Sequence, residues 1–343
     1  MALPSVSPEP IAFPVLIGDV GGTNVRFALL KDALAEPQLI PPVLTADYPD
    51  IVTAIDEVVL AHTSLLPRTA VLAVAGPVHR EAVHLTNADW VIRPGEMMEA
   101  LGLSDVVLVN DFEALALALN ALGPGDLEAI GSGQPDPDGP KVVLGPGTGL
   151  GVAALVRAGH LWVPLPGEGG HVALGPAEPD EFPLWTAMEP EQGRISAEAV
   201  LSGRGIVRLY NAVSVTDGVD PRFSTPETIS AAALSGEDAA ARRTLQVYCR
   251  ILGRLAGDLA LVFMATGGVY VGGGIAPRLV PLLRQSEFRR AFEAKAPHQA
   301  VLAEIPTWVI TAAQPALIGL AAFARQPGRF AVALSGRRWR VAA

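Results

Sequence analysis

Several short stretches of this 343-residue chain combine acid, hydroxyl and glycine residues in ways that could hold a phosphate and move a proton. The first is Asp19-Val20-Gly21-Gly22-Thr23-Asn24-Val25-Arg26. Glycines at a turn let backbone N–H groups approach phosphate oxygens with no Cβ in the way. Thr23 adds a hydroxyl donor and Arg26 a positive charge, while Asp19, at a strand end, is placed to orient a hydrated Mg²⁺. The same residues also suit a plain β-hairpin, where Gly-Gly and Asn are common. A second string, Gly145-Pro146-Gly147-Thr148-Gly149-Leu150-Gly151, holds four glycines in seven residues. That composition costs backbone entropy an ordinary turn would not demand, so a second phosphate loop is the economical reading. Neither string is the GxxxxGK[ST] loop or the GxGxxG dinucleotide fingerprint.

Asn110-Asp111 follows an apolar run and precedes a helical pattern, which puts a polar pair where open α/β sheets bind ligands. Asp111 could take a proton from a substrate hydroxyl as general base, or it could simply cap the helix. In Pro166-Gly167-Glu168-Gly169-Gly170-His171 a carboxylate and an imidazole lie three apart in a glycine-rich loop. They could satisfy hydroxyls of a small polyol, or His171 could be a structural hydrogen-bonder. A zinc site would need a third ligand that no nearby motif supplies. Glu198 stands near the start of a helix, where the dipole alone makes a carboxylate favourable. Gly272-Gly273-Gly274 lies between a strand and a helix and would let backbone lie flat on a planar ring such as adenine; a tight turn explains it equally well.

These residues need a frame. Val15–Asp19 and Val25–Leu30 flank the first glycine turn and read as a hairpin. Val71–Ala75 and Val106–Val109 are buried-strand candidates, and Lys141–Leu144 and Val152–Val156 flank the second glycine loop. Val269–Val271 and Trp308–Ile310 are further short strands. Helical patterns run over Ile51–Ala61, Glu113–Leu122, Glu198–Leu209, Leu245–Phe263, Pro277–Leu283 and Pro315–Ala324. Strands and helices mixed at short intervals indicate an α/β protein. From Arg325 onward the chain has five arginines and no acid, the composition of a flexible tail on an acidic body.

Composition narrows the function. Half of the residues are hydrophobic and 17% are charged, so a large core is expected, and the length suits two lobes. Twenty-five basic against thirty-five acidic residues give a net charge of −10, which argues against nucleic-acid or anionic-membrane partners. A bound phosphate must then be held by local geometry. Cys249, the only cysteine, excludes an intramolecular disulfide and a multi-thiolate zinc site. The N-terminus lacks the basic start of a signal peptide, and the longest apolar stretch is far short of a membrane span, so the chain reads as cytoplasmic.

Taken together, the strings Gly18–Leu29, Leu85–Trp90, Val109–Leu119, Leu144–Ala153, Pro166–Pro176, Ala197–Ile206 and Gly267–Arg278 resemble, in order, those of the bacterial glucokinase family, within the actin, heat-shock protein and hexokinase superfamily. The resemblance spans roughly Pro14 to Arg325. It implies a two-lobed, actin-like (ribonuclease H-like) α/β fold in which each lobe is a mixed sheet flanked by helices, with a cleft between. The expected small lobe is 14–121 plus 312–325 and the large lobe 122–311, leaving a leader (1–13) and a basic tail (326–343). It implies ATP and Mg²⁺ as cofactors, glucose as acceptor, and a homodimer. Asp111 would be the base on the sugar's 6-hydroxyl, with Asn110, Gly149, Glu168, His171 and Glu198 around the sugar. Gly18, Asp19, Val20, Gly21, Gly22, Thr23, Asn24, Arg26, Gly147 and Thr148 would meet the phosphates, with Asp19 reaching Mg²⁺ through water. Gly273 and Gly274 would meet the adenosine. Leader and tail depart from the pattern without touching its motifs. The related repressor-type sugar kinases typically carry a cysteine-rich zinc motif, which a single cysteine cannot supply. A sugar sensor would need a DNA-binding element, and thirteen residues before the first strand cannot hold a helix-turn-helix. A phosphatase or acyl-phosphate kinase on the same fold would not want Asn110, Glu168, His171 and Glu198.

Overall fold

The computed structural model describes residues 10–76, 78, 82–85 and 88–341. Most of the leader, and Thr86 and Asn87 of the Leu85–Trp90 string, lie outside the described residues. The elements that bear on the site are, in chain order, strands β1 (Val15–Val20), β2 (Asn24–Leu30), β3 (Thr69–Val74) and β4 (Asp105–Asn110), helix α1 (Asp111–Ala118), and strands β5 (Lys141–Pro146), β6 (Leu150–Ala158) and β7 (Leu161–Gly167). There follow helices α2 (Ala197–Leu201), α3 (Gly203–Asp217) and α4 (Ala239–Phe263), strands β8 (Gly268–Val271) and β9 (Thr307–Ile310), helix α5 (Pro315–Arg325) and strand β10 (Arg338–Arg340). Among the described residues no helix is long and apolar enough to cross a membrane.

The chain divides into two compact units. One comprises 1–122, 155–166 and 313–343, and the other 123–154 and 167–312. The first therefore takes in 155–166 and the basic C-terminal residues, neither of which the expected small lobe included. Its sheet runs in the order β10-β4-β3-β1-β2, extended past β2 by Gln38–Leu39 and Val43–Leu44. Strands β1, β3 and β4 are parallel, with Asp19 beside Ala73 and Val74 beside Asn110. Parallel strands are covered on both faces, and β3 is buried at all six positions, which is why these segments read as unbroken apolar runs. Their shared direction brings Asp19 and Asn110 to the same, carboxyl edge of the sheet. Leu16, Val20, Phe27, Ile55, Leu72 and Trp90 are among the side chains that fill the core on one face.

Helix α1 packs on α5. Their backbones come so close that a Cβ on Gly319 would lie 1.9 Å from the Ala114 carbonyl oxygen. Within the second unit the sheet has the order β6-β5-β8-β9 followed by Leu127–Ala129. The long helix α4 is tied to Glu181, a fully buried carboxylate that accepts from Arg250 (3.0 Å), Arg254 (2.8 Å) and the Ala177 N–H (2.8 Å). Cys249 sits on the buried side of α4, and burial pushes its thiol up to about 12.

Two expectations need correction. The pattern over Glu198–Leu209 is not one helix. The backbone at Ser202 is extended (φ −104°, ψ 178°), and its side chain caps α3 by accepting from the Gly205 N–H at 3.1 Å. Nor is the arginine-bearing end a loose tail. Arg338–Arg340 pairs antiparallel with β4, because β4 would otherwise offer an open edge and Asp105 offers a buried partner for Arg338 (2.5 Å) and Arg340 (3.1 Å).

Candidate active site

In the first unit the glycine turn between β1 and β2 is closed by the Gly21 N–H donating to the Asn24 carbonyl (3.0 Å). It is buttressed by Thr45, whose hydroxyl donates to the Gly21 carbonyl (3.0 Å) and whose N–H donates to that of Thr23 (3.0 Å). The Gly21 N–H is therefore spent within the turn, while Thr23 stands exposed at its tip. Arg26 faces Asp19 across the hairpin and pairs with it at 3.3 Å, so its charge is directed at Asp19 first. Burial raises the Asp19 carboxyl above its usual value, with Arg26 opposing that rise less strongly. Gly18 and Val20 are inside the core. A Cβ on Gly18 would meet Leu72 at 2.7 Å, and the Val20 side chain is fully buried. Both shape the strand that carries Asp19 rather than presenting a side chain themselves.

At the end of β4 the structure shows which residue caps the helix. The N-cap is Asn110, whose side-chain oxygen accepts from the N–H groups of Phe112 (2.9 Å) and Glu113 (3.3 Å). Glu113 completes a capping box by accepting from the Asn110 N–H at 3.4 Å. This frees Asp111 from capping duty at the first helical position, although its Oδ1 shares the Phe112 N–H at 2.9 Å. The Asp111 carboxyl is pushed up to about 6, by burial above all and further by the charge of Asp19, against the pull of the Phe112 N–H. With the Asn110 oxygen committed to the helix, its NH₂ group lies near enough to Asp111 to hold that carboxyl down slightly.

In the second unit the loop between β5 and β6 folds back on itself, with the Gly147 N–H donating to the Gly149 carbonyl (2.8 Å) and Thr148 exposed at the tip. The Gly147 carbonyl accepts from the Gly203 N–H at 2.8 Å, which ties the loop to the start of α3. Glu198 on α2 accepts from the Leu150 N–H at 2.9 Å. A Cβ on Gly149 would lie 2.6 Å from that carboxylate, so only glycine lets Glu198 come so near. Arg204 approaches the other Glu198 oxygen at 3.9 Å. Glu168 and His171 are exposed, 3.7 Å apart, on a loop pressed onto β6 so closely that a Cβ on Gly170 would meet the Leu150 carbonyl at 1.9 Å. Gly273 has φ +77° and lies against the Pro146 carbonyl, which joins the third glycine string to the second; Gly274 is open.

The structure thus groups Asp19, Gly21, Gly22, Thr23, Asn24, Arg26, Asn110 and Asp111 at one sheet edge of the first unit. In the second it gathers Gly147, Thr148, Gly149 and Glu198, with Gly273 against the same loop and the Glu168–His171 pair on β6. Four participants were not singled out from the sequence: Thr45, Glu113, Arg204 and Arg337, whose guanidinium pairs with the Glu113 carboxylate. Glu113 had a signal, since Asn110 and Glu113 have capping-box spacing. Thr45 and Arg337 meet the site only through distant strand pairing and had none.

A magnesium ion can be tested against these groups. Among the described residues no cluster of three or more His, Cys, Asp or Glu could hold a metal. Magnesium keeps several waters and takes one or two carboxylates plus phosphate oxygens. A single carboxylate beside a glycine turn, as Asp19 provides, fits an ion delivered with a nucleotide.

Comparison with known proteins gives the family. The glucokinase family model matches residues 16–327. A glucokinase of Rhizobium johnstonii is 52% identical over 340 residues, covering 99% of this chain and all of that protein. The crystal structure of a glucokinase from an Antarctic psychrotroph superposes with a TM-score of 0.81 at 35% identity, over 91% of this chain and 98% of that one. A ROK-family glucokinase from Streptomyces griseus, in complex with glucose and AMPPNP, shares the fold at 24% identity (TM-score 0.62, 92% of this chain and 100% of that one).

Proposed function

The chain belongs to the glucokinase family, and from that premise we propose how its residues divide the transfer of phosphate from ATP to glucose. The observation that carries the assignment is Asp111. It sits at the first position of α1, relieved of capping by Asn110, on the same sheet edge as Asp19 and the first glycine turn, with its carboxyl pushed up to about 6. A carboxylate whose proton affinity lies near working pH is suited to take the proton of the 6-hydroxyl as that oxygen attacks the γ-phosphorus. Asn110, through its NH₂ group, and Glu198, Glu168 and His171 hold the remaining hydroxyls, and the missing Cβ of Gly149 leaves room beside Glu198. Unpaired buried polar groups are expensive, so a site that binds several hydroxyls rejects analogues that lack them.

Phosphoryl transfer asks mainly for positioning and charge neutralisation. With the N–H groups of Gly21 and Gly147 closing their own turns, the donors for the phosphates are the N–H groups of Gly22 and Thr148 and the hydroxyls of Thr23 and Thr148, and Gly273-Gly274 supply a flat backbone surface for the adenosine. Mg²⁺, held through water by Asp19, would neutralise charge on the phosphates. Arg26 limits the negative field at Asp19 before nucleotide arrives. The first unit carries the base and the second most of the sugar-holding groups.

The test is a product balance. Purified protein with ATP, Mg²⁺ and separate aldohexoses should release ADP matched one-for-one by glucose 6-phosphate, with weak signals from mannose, fructose and N-acetylglucosamine. Asp111→Asn should lower turnover by about 10²–10⁴-fold with little change in glucose binding. A folded Asp111→Asn protein with wild-type turnover would remove Asp111 from the mechanism.

A further inference from the structure

The helix that carries Asp111 is gripped from outside by the end of the chain. Glu113, at the third position of α1, is only 1% exposed, and its Oε2 accepts from the Asn110 N–H at 3.4 Å. Both terminal nitrogens of Arg337 reach this carboxylate, at 2.5 Å to Oε2 and 3.3 Å to Oε1. Among the described residues Arg337 is the one cation paired with Glu113. Arg337 is itself fixed, since its carbonyl accepts from the Leu108 N–H of β4 at 3.0 Å and its Nε donates to the Ala333 carbonyl at 2.5 Å.

We propose that Arg337 is a positioning residue for the phosphoryl transfer: by neutralising the buried Glu113 carboxylate it keeps that carboxylate on the Asn110 N–H, and so sets the angle at which β4 turns into α1 and presents Asn110 and Asp111. The inference rests on the reading of Asp111 as base. A buried carboxylate that loses its cationic partner is strongly unfavourable and must swing toward water or take up a proton. The first outcome opens the capping box; the second changes which of its atoms can accept. Asn110 and Asp111 share the Phe112 N–H, so a shift of the cap moves both side chains. A displacement of about 1 Å at a reacting group can cost roughly 10²-fold in rate. Arg338 and Arg340 do something different. They pair with Asp105 at the opposite end of β4 and hold the strand without reaching the cap.

That contrast supplies the experiment. Full-length Arg337→Met, Arg337→Met/Glu113→Gln, Arg338→Met and Asp111→Asn proteins are compared for melting temperature, kcat, and KM for glucose and ATP. Arg337→Met should lower kcat about 10–100-fold with KM for ATP within about twofold. Adding Glu113→Gln should bring kcat back to within about threefold of wild type, since a Gln oxygen accepts from the Asn110 N–H with no charge to neutralise. Arg338→Met should lower the melting temperature and leave kcat unchanged. The proposal is overturned if folded Arg337→Met keeps wild-type kcat, if Arg338→Met loses as much kcat as Arg337→Met, or if the double variant recovers nothing. Should Arg337→Met not fold, the double variant decides alone: near-wild-type kcat supports the role and a tenfold loss refutes it. An active Asp111→Asn would instead bring down the base assignment, whereas an inactive Asp111→Asn beside a wild-type Arg337→Met brings down only this inference.

Discussion

Burial above all, with a smaller push from the charge of Asp19, raises the Asp111 carboxyl to about 6 against the pull of the Phe112 N–H. As a base it must be deprotonated, so kcat/KM should fall about tenfold per pH unit below pH 6. Asp19→Asn, which removes the negative neighbour, should move that acid limb to lower pH. The same raised pKa works against folding. The folded state binds the proton more tightly than the unfolded chain does, so the destabilisation is full above about pH 6 and fades as pH falls toward the ordinary carboxylate value. Asp111→Asn should therefore stabilise the protein at pH 8 by on the order of 1–3 kcal/mol, and by nothing measurable below pH 4. Thermal melts at both pH values check this, and a pH-independent difference would sink it. Asn110-Asp111 was legible in the sequence as a polar pair at a strand end. Which of the two caps the helix was not, because either type can, and only the backbone turn at Asn110 decides.

At the scale of elements, three parallel strands put Asp19 and Asn110 on one edge, and their apolar runs made them easy to read. Helix α1 depends on α5 through the contact at Gly319. Gly319→Ala places a methyl 1.9 Å from the Ala114 carbonyl. Overpacking of this kind typically costs about 1–3 kcal/mol. A lowered melting temperature with a reduced kcat is expected, because the helix that must shift is the one bearing Asp111; an unchanged melting temperature would show that the two helices can part at little cost. The break at Ser202 was missed because the apolar spacing continues across it, although Ser is a favoured N-cap residue. Strand β10 had no signal at all. Arg338-Trp339-Arg340 lacks a strand's apolar character, and its conformation is set by the free edge of β4 and by Asp105.

For the molecule as a whole, the net charge of −10 sits beside a function that requires an anionic nucleotide. On the proposed reading its phosphates are met by backbone donors and a cation carried with them, so glycine strings rather than basic clusters mark the site. The arginines at the C-terminus have another use, closing the first unit's sheet. Deleting residues 337–343 should expose the β4 edge and produce time-dependent association, visible by light scattering, along with lost activity. A truncated protein that stays dispersed and active would show that the edge needs no cover.

Cys249 has a consequence of another kind. It is the chain's single thiol, fully enclosed on α4 and with its proton held up to about 12. Thiolate, not thiol, reacts with electrophiles, so the folded protein should be inert to maleimides and disulfide reagents. Any adduct that accumulates in native buffer then records excursions in which α4 parts from its neighbours. The rate of that one modification, followed by intact mass with and without glucose, is an intrinsic clock for the breathing of the second unit.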